Sequence, residues 1–109
     1  MQLESYEERI SHLREEGAKD GITLRSESEE DFLLIANAVP EAGRAGLVLM
    51  EDGDLRATWR KEGILRVVIS AEFREFGVRY SAQVEESIKV AACPTEAFVS
   101  DLRCYFKIR

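Results

Sequence analysis

The chain has 109 residues, of which 45% are hydrophobic and 33% charged, and its formal net charge at pH 7 is -6. A chain of this size buries roughly two thirds of its unfolded surface, so it can fold as one domain without metal or disulfide. The composition excludes disordered, collagen-like and disulfide-scaffold proteins. No apolar run reaches membrane-spanning length, and the acidic N-terminus lacks a signal-peptide core. We therefore expect one cytoplasmic domain over residues 1–109.

The first predicted element is a helix over about residues 4–19. Ser5 and Glu8 have the spacing of a capping box, and Gly21 can adopt the left-handed conformation that ends a helix. The apolar stripe is narrow, which favours a single packing seam. The same stripe could instead pair two chains across a twofold axis, as could an edge strand, so a homodimer is compatible with the sequence. The stripe comprises Leu3, Tyr6, Ile10 and Leu13.

A second helix is predicted to follow and to end at Pro40, since proline cannot continue it. Two serines could cap its start: Ser26 with Glu29, or Ser28 with Asp31. In either case several carboxylates fall in the first turns, where they complement the helix dipole. We therefore interpret this acidic run as stabilising the helix, in preference to an active site.

The pattern then changes to strict alternation of apolar and polar residues, which predicts an antiparallel meander with one solvent-exposed face. Strands over Leu47–Met50 and Leu55–Arg60 are joined by a tight type I′ turn at Asp52-Gly53. A third strand runs from Ile64 to about Arg74, and the turn Glu75-Phe76-Gly77 leads to a fourth. The residues predicted to point inward are Leu55, Ala57, Trp59, Leu65, Val67, Ile69, Ala71, Phe73, Val78, Tyr80, Ala82 and Val84.

The tail predicts a short fifth strand over Ile88–Ala91 and a last helix that starts at Cys93-Pro94-Thr95. Phe98 and Leu102, with Tyr105 or Phe106, give this helix its buried face. The predicted fold is α+β in two layers: two N-terminal helices and a C-terminal helix pack on one face of a four- or five-stranded antiparallel meander.

The net charge is concentrated in the first part of the chain. Residues 1–31 contain ten acidic and four basic residues, whereas residues 32–109 contain eleven of each. Such an acidic region repels nucleic acids and membranes and attracts basic protein surfaces, although it could also be a solubilising face without a partner. We call its candidate binding residues the acidic lobe: Glu4, Glu7, Glu8, Glu15, Glu16, Glu27, Glu29, Glu30 and Asp31.

Little in the sequence points to catalysis. His12 is the only histidine and lies in a charged helix, so a site built from several histidines is excluded. Cys93 and Cys104 lack zinc or CxxC spacing, so we expect free thiols, with Cys104 as a small buried hydrophobe. No phosphate-binding glycine loop occurs, and Asp52-Gly-Asp54 lacks the remaining ligands of a calcium loop. We predict no catalytic residues, no cofactor and no metal.

The outward positions of the strands suggest an alternative interface, which we call the arginine face. Its arginines could grip phosphates. However, the strand aromatics are predicted to point inward, which removes the stacking platforms that single-strand binders use and disfavours direct nucleic-acid binding. Ion pairs such as Arg66 with Glu72 or Arg56 with Asp52 would make it an ordinary solvated face. The arginine face comprises Arg56, Arg60, Arg66 and Arg79.

The strings LVLMEDGDLRATWR and EFREFGVRY resemble a group of small bacterial proteins with a similar meander, some of them in toxin–antitoxin-type gene pairs. The resemblance implies a neutralising or regulatory partner protein and assigns no site residues. Together with the charge, it favours a non-enzymatic acidic protein that occupies a basic surface of a partner protein, for example a partner that processes nucleic acids. Antitoxins, immunity proteins and phage inhibitors of the anti-CRISPR type are such proteins. Candidate contact anchors are Tyr6, Phe76 and Tyr105.

Overall fold

A computed structural model describes residues 4–106, which form three helices and one five-stranded antiparallel sheet. The strands follow their order in the chain, so the sheet is a plain meander with all three helices on one face. The predicted two-layer α+β fold is confirmed. The elements are α1 (Tyr6–Lys19), α2 (Ser26–Ala38), a 3-10 turn (Pro40–Ala42), β1 (Gly46–Leu49), β2 (Leu55–Lys61), β3 (Val67–Arg74), β4 (Gly77–Val84), β5 (Ser87–Cys93) and α3 (Thr95–Phe106).

Helix α1 begins and ends where the sequence predicts. The Glu8 N–H donates to the Ser5 hydroxyl at 3.1 Å, and this bond satisfies one of the free donors of the first turn. At the other end Gly21 has φ +75°, and the Ile22 N–H donates to the Gly17 carbonyl at 2.8 Å. This geometry is a Schellman motif, which needs a residue without a Cβ penalty in the left-handed region.

The serine caps predicted for the start of α2 do not form. Ser26 is the first helical residue, and the N-cap is Arg25, whose side chain does not cap the helix. Ser28 is fully buried inside the first turn. Its hydroxyl donates to the Phe73 carbonyl at 2.6 Å and accepts from the Leu55 N–H at 2.8 Å. Neither serine is therefore a cap, and Ser28 joins the helix to the sheet.

The β1–β2 turn also differs from the prediction. A type I′ turn needs positive φ at both central residues, but here only Gly53 has it, at +92°. The Gly53 N–H donates to the Met50 carbonyl at 3.0 Å, and the Met50 N–H donates to the Asp54 carbonyl at 2.9 Å. The loop thus spans three residues, with glycine at the left-handed position. Gly53 is held there because the Arg25 N–H donates to its carbonyl at 2.9 Å.

Strand β3 starts three residues later than predicted. The β2–β3 ladder ends at the pair Lys61 and Val67, so residues 62–66 form a loop. Leu65 was expected inward, but it is 53% exposed. Alternation continues into this loop without a partner strand to pair with, which is why the pattern overextends the strand.

Strand β5 is longer than predicted and pairs with β4 from Ser87 to Cys93. Helix α3 begins as expected, because the Pro94 carbonyl accepts from the Ala97 and Phe98 N–H groups. Phe106, and not Tyr105, completes the buried face of α3.

The core lies between the two layers. Its centre is a cluster of aromatic rings in which Phe32, Trp59, Phe73 and Phe98 stack with centroids 5.7 to 6.5 Å apart. Ile10 and Leu13 are also buried there. The idea that the α1 stripe pairs two chains is therefore wrong for these two residues, and Leu3 lies outside the described residues.

Candidate partner-binding surfaces

The acidic lobe lies on the outer surfaces of α1 and α2, as the prediction requires. Six of its nine residues are exposed, and the remaining three, Glu4, Glu29 and Asp31, are half-buried. The polarity on which the prediction depends also holds: Trp59 and Tyr80 are buried beneath the helices. The exposed members are Glu7, Glu8, Glu15, Glu16, Glu27 and Glu30.

Part of the acidic lobe is engaged by local hydrogen-bond or ion-pair partners. Glu4 lies 2.6 Å from His12 Nδ1, and Glu29 lies 2.5 Å from Arg14, a contact that ties α2 to α1. Glu27 pairs with Arg25 at 3.2 Å, and Glu8 accepts from the Ser5 hydroxyl. In the part of the chain the structure describes, no hydrogen bond or ion pair engages the side chains of Glu7, Glu15, Glu16 and Glu30.

An arginine fixes the acidic start of α2 against the sheet. Arg25 donates to Asp54 at 2.8 Å and to the Phe73 carbonyl at 3.1 Å. Burial acts to lower the pKa of Arg25, but the hydrogen bonds and charges of Asp54 and Glu27 together outweigh it and raise that pKa. Arg25 thus joins the sheet to the start of α2 and also compensates part of the negative charge there, through Glu27 and Asp31.

Asp31 differs from the other acidic residues because it faces the start of α3. Burial raises the pKa of its carboxyl group; Arg25 opposes the shift, and Glu30 and Glu96 add to it. The charged form of Asp31 is therefore held at a cost, which is unusual for a solubilising residue.

The arginine face is open to solvent. Arg56 and Arg79 flank Glu72 directly across the ladder, while Arg60 lies opposite Val68. Arg66 precedes β3, and its backbone N–H donates to the Glu85 carboxylate at 2.9 Å. All four arginines are exposed. The predicted pairs Arg66–Glu72 and Arg56–Asp52 do not form; the carboxylates bond or approach Arg74 instead.

Aliphatic side chains that the prediction missed share this open face. In β5, Ile88 is 66% exposed and Val90 62%, and Val48 of β1 is 47% exposed. The register places Ile88 beside Gln83 and Val90 beside Ser81 on the outer side. The alternation of Ile88 and Val90 in the sequence is the signal that places both side chains on the same face of β5.

Of the three suggested anchors, Phe76 alone stands free, at 93% exposure on the β3–β4 turn. It lines an open cleft of about 700 Å³ at the end of the sheet, with Arg74, Cys93 and Pro94. Tyr6 is held by the fold: its ring meets Phe32 edge-on at 4.9 Å, and its hydroxyl accepts from the Ala45 N–H. Tyr105 is partly buried against the core.

The two thiols are free, as predicted, but Cys104 is exposed, so its expected role as a buried hydrophobe is wrong. Burial raises the pKa of the Cys93 thiol, and Asp101 adds to the effect. An activated cysteine needs the opposite shift. Among residues 4–106, no three His, Cys, Asp or Glu side chains are grouped to hold a metal ion. None of the helices in this range combines the length and apolarity of a membrane span.

Comparisons add no relative. The chain matches no protein-family model, and searches of curated proteins and of solved structures find no significant match. The resemblance to proteins of toxin–antitoxin-type gene pairs stays a prediction.

Proposed function

We propose that this protein is a non-enzymatic binding protein whose acidic helical surface occupies a basic surface of a partner protein, as antitoxins, immunity proteins and phage inhibitors do. The carrying observation is a set of exposed carboxylates that make no hydrogen bond or ion pair with any other residue of the range 4–106, namely Glu7, Glu15, Glu16 and Glu30.

The charges suit steering more than tight anchoring. Unpaired carboxylates on a rigid helix attract a basic surface before contact and raise the association rate. Apolar anchoring would come from exposed side chains near the acidic start of α2, for which Phe76 is the available aromatic group. Burial raises the pKa of the Cys93 thiol, which disfavours nucleophilic catalysis by that residue.

The test is a comparison of two charge-reversal variants with equal charge change. The helix variant carries Glu→Lys at positions 7, 15 and 16. The loop variant carries Glu→Lys at 51, 62 and 86, which are likewise exposed glutamates and lie away from Phe76 in the chain. The partner is first isolated from the host with the tagged full chain, and association rates are then measured on the purified pair.

At low salt we expect the association rate of the helix variant to be at least about tenfold lower than that of the parent protein. Near physiological salt the difference between the two rates should be smaller. The loop variant should associate nearly as the parent does. Equal rates for all three proteins, or equal losses in both variants, would show that the acidic helical surface does not guide binding.

A further inference from the structure

The open face of the sheet carries more arginines than carboxylates, and exposure to solvent alone does not require such an excess. Its outward strand positions carry Arg56, Arg60, Arg74 and Arg79, and Glu72 is the one carboxylate among them. Glu72 is already bonded to Arg74 at 3.1 Å. Within residues 4–106, the guanidinium groups of Arg56, Arg60 and Arg79 make no ion pair. This face is therefore positive although the chain as a whole is negative.

Aliphatic side chains adjoin these charges. Ile88 follows Val68 and Gln83 along one row of the ladder, and Val90 follows Ser70 and Ser81 along the next. At the Arg60 end, a cleft of about 290 Å³ lies between Arg60 and Arg66, with Glu62, Val68 and Gln83 as its other walls. The face thus offers an aliphatic strip beside a recess whose arginines outnumber its single carboxylate.

We propose that this arginine face is a second docking surface, and that its occupant is an acidic amphipathic helix of a partner protein. Helices already cover the other side of this sheet, and an amphipathic helix presents a single stripe of side chains that can pack on a sheet face. Its carboxylates would meet Arg56, Arg60 and Arg79, and its aliphatic side chains would cover Ile88 and Val90. Charge complementarity decides the sign of the occupant.

Two other occupants fit less well. A second copy related by a twofold axis would bring the arginine face against itself, with like charges opposed. The acidic helix α1 of a second copy cannot serve, because Ile10 and Leu13, the apolar side chains it would need, are buried in its own core. A nucleic acid would meet arginines but no aromatic ring on the strands, since Trp59, Phe73 and Tyr80 all point inward.

The experiment is a titration of the isotope-labelled full chain by amide NMR with three named probes. The first is a capped helical peptide built from glutamate and leucine, the second is the same peptide with glutamine for glutamate, and the third is an oligothymidylate. The outer-face variant is Arg56→Gln, Arg60→Gln and Arg79→Gln. The control variant, with equal charge change, is Arg9→Glu and Lys19→Gln on α1, two side chains that make no hydrogen bond or ion pair within residues 4–106.

At physiological salt we expect the glutamate peptide to shift amide signals of β2 to β5 and to bind more tightly than the other two probes. The outer-face variant should weaken this binding about tenfold, because single exposed charge contacts are modest and three are removed. The control variant should bind as the parent does. Both variants should keep the dispersed spectrum of the folded chain.

Tighter binding of the oligothymidylate than of the glutamate peptide would overturn the proposal in favour of a nucleic acid. Equal binding of the glutamate and glutamine peptides would remove the charge argument. Shifts confined to the helices, no shifts at all, or an unchanged outer-face variant would also overturn it. None of these results bears on the acidic lobe, which lies on the opposite layer and is tested separately.

Discussion

Replacing Ser28 by alanine tests how the acidic start of α2 is fixed to the sheet. The β2–β3 register pairs Arg56 with Glu72, so Leu55 and Phe73 are the next opposed positions. At this step the Ser28 hydroxyl stands between the strands, accepting from the Leu55 N–H at 2.8 Å and donating to the Phe73 carbonyl at 2.6 Å. A side chain thereby bridges backbone groups at the end of the ladder.

The expected cost follows from which groups lose their partners. In Ser28→Ala the buried Leu55 N–H has no replacement acceptor, and such an orphan costs about 1–3 kcal/mol. The Phe73 carbonyl keeps its bond from Arg25 at 3.1 Å, so its loss is partial. Alanine is the better helix former by about 0.5 kcal/mol, which offsets part of the penalty. We expect a net loss of about 0.5–2.5 kcal/mol in the free energy of unfolding.

Urea unfolding followed by circular dichroism measures this loss, and Ser26→Ala is the matched control. Ser26 is exposed in the same turn and makes the same change in helix propensity without a buried bond. The midpoint should fall for Ser28→Ala at an unchanged slope and stay level or rise for Ser26→Ala. If the two variants unfold alike, the Ser28 bonds contribute nothing and the bridging argument is wrong.

Three further predictions concern the packing that supports these surfaces. Gly53→Ala should lower the free energy of unfolding by about 2 kcal/mol or more, because φ is +92° and an added Cβ would collide with the Thr23 carbonyl. The control is Gly63→Ala, where an added Cβ meets open space, and its free energy of unfolding should be nearly that of the parent. Burial, reinforced by a hydrogen bond to Asp101 at 2.7 Å, raises the pKa of Tyr80 in the folded chain. Above about pH 10 the unfolded chain therefore loses the tyrosine proton first, and the free energy of unfolding falls as the pH rises. Urea unfolding of Tyr80→Phe should show a smaller fall over this range, and a pH profile identical to that of the parent would contradict the prediction. Because burial raises the pKa of Asp31, the charged form of its carboxyl group opposes folding above about pH 4. Asp31→Asn should therefore raise the melting temperature at neutral pH and lose this gain as the pH falls below about 4. A gain in melting temperature that does not change with pH would count against the prediction.

The sheet was predictable because alternation reports burial directly. Trp59, Ile69 and Tyr80 fall on the inward register in the sequence and are buried in the structure. Alternation does not report where a partner strand ends, however. The β2–β3 ladder closes at Lys61 and Val67, so Leu65 keeps the pattern but leaves the core.

Local turn and cap rules failed where tertiary contacts decide the conformation. Asp52-Gly53 suits a two-residue turn, but the Arg25 N–H binds the Gly53 carbonyl and the chain adopts a three-residue loop. Serine near a helix start usually caps it, and nothing local distinguishes a cap from the buried bridge at Ser28. The acidic lobe was predictable because charge needs only composition, whereas the unpaired state of the arginines depends on rotamers and neighbours.

The net charge of -6 therefore describes neither surface. At physiological salt, charges are screened over about 8 Å. Even the shortest principal extent of the molecule is 25 Å, about three times that distance. A partner approaching the helices meets Glu7, Glu15 and Glu16, while a partner approaching the sheet meets Arg56, Arg60 and Arg79, and neither senses much of the other layer. Under the two proposals above, the layers would attract partners of opposite charge, and substitutions at Glu7, Glu15 and Glu16 should leave the electrostatics of binding at Arg56, Arg60 and Arg79 nearly unchanged.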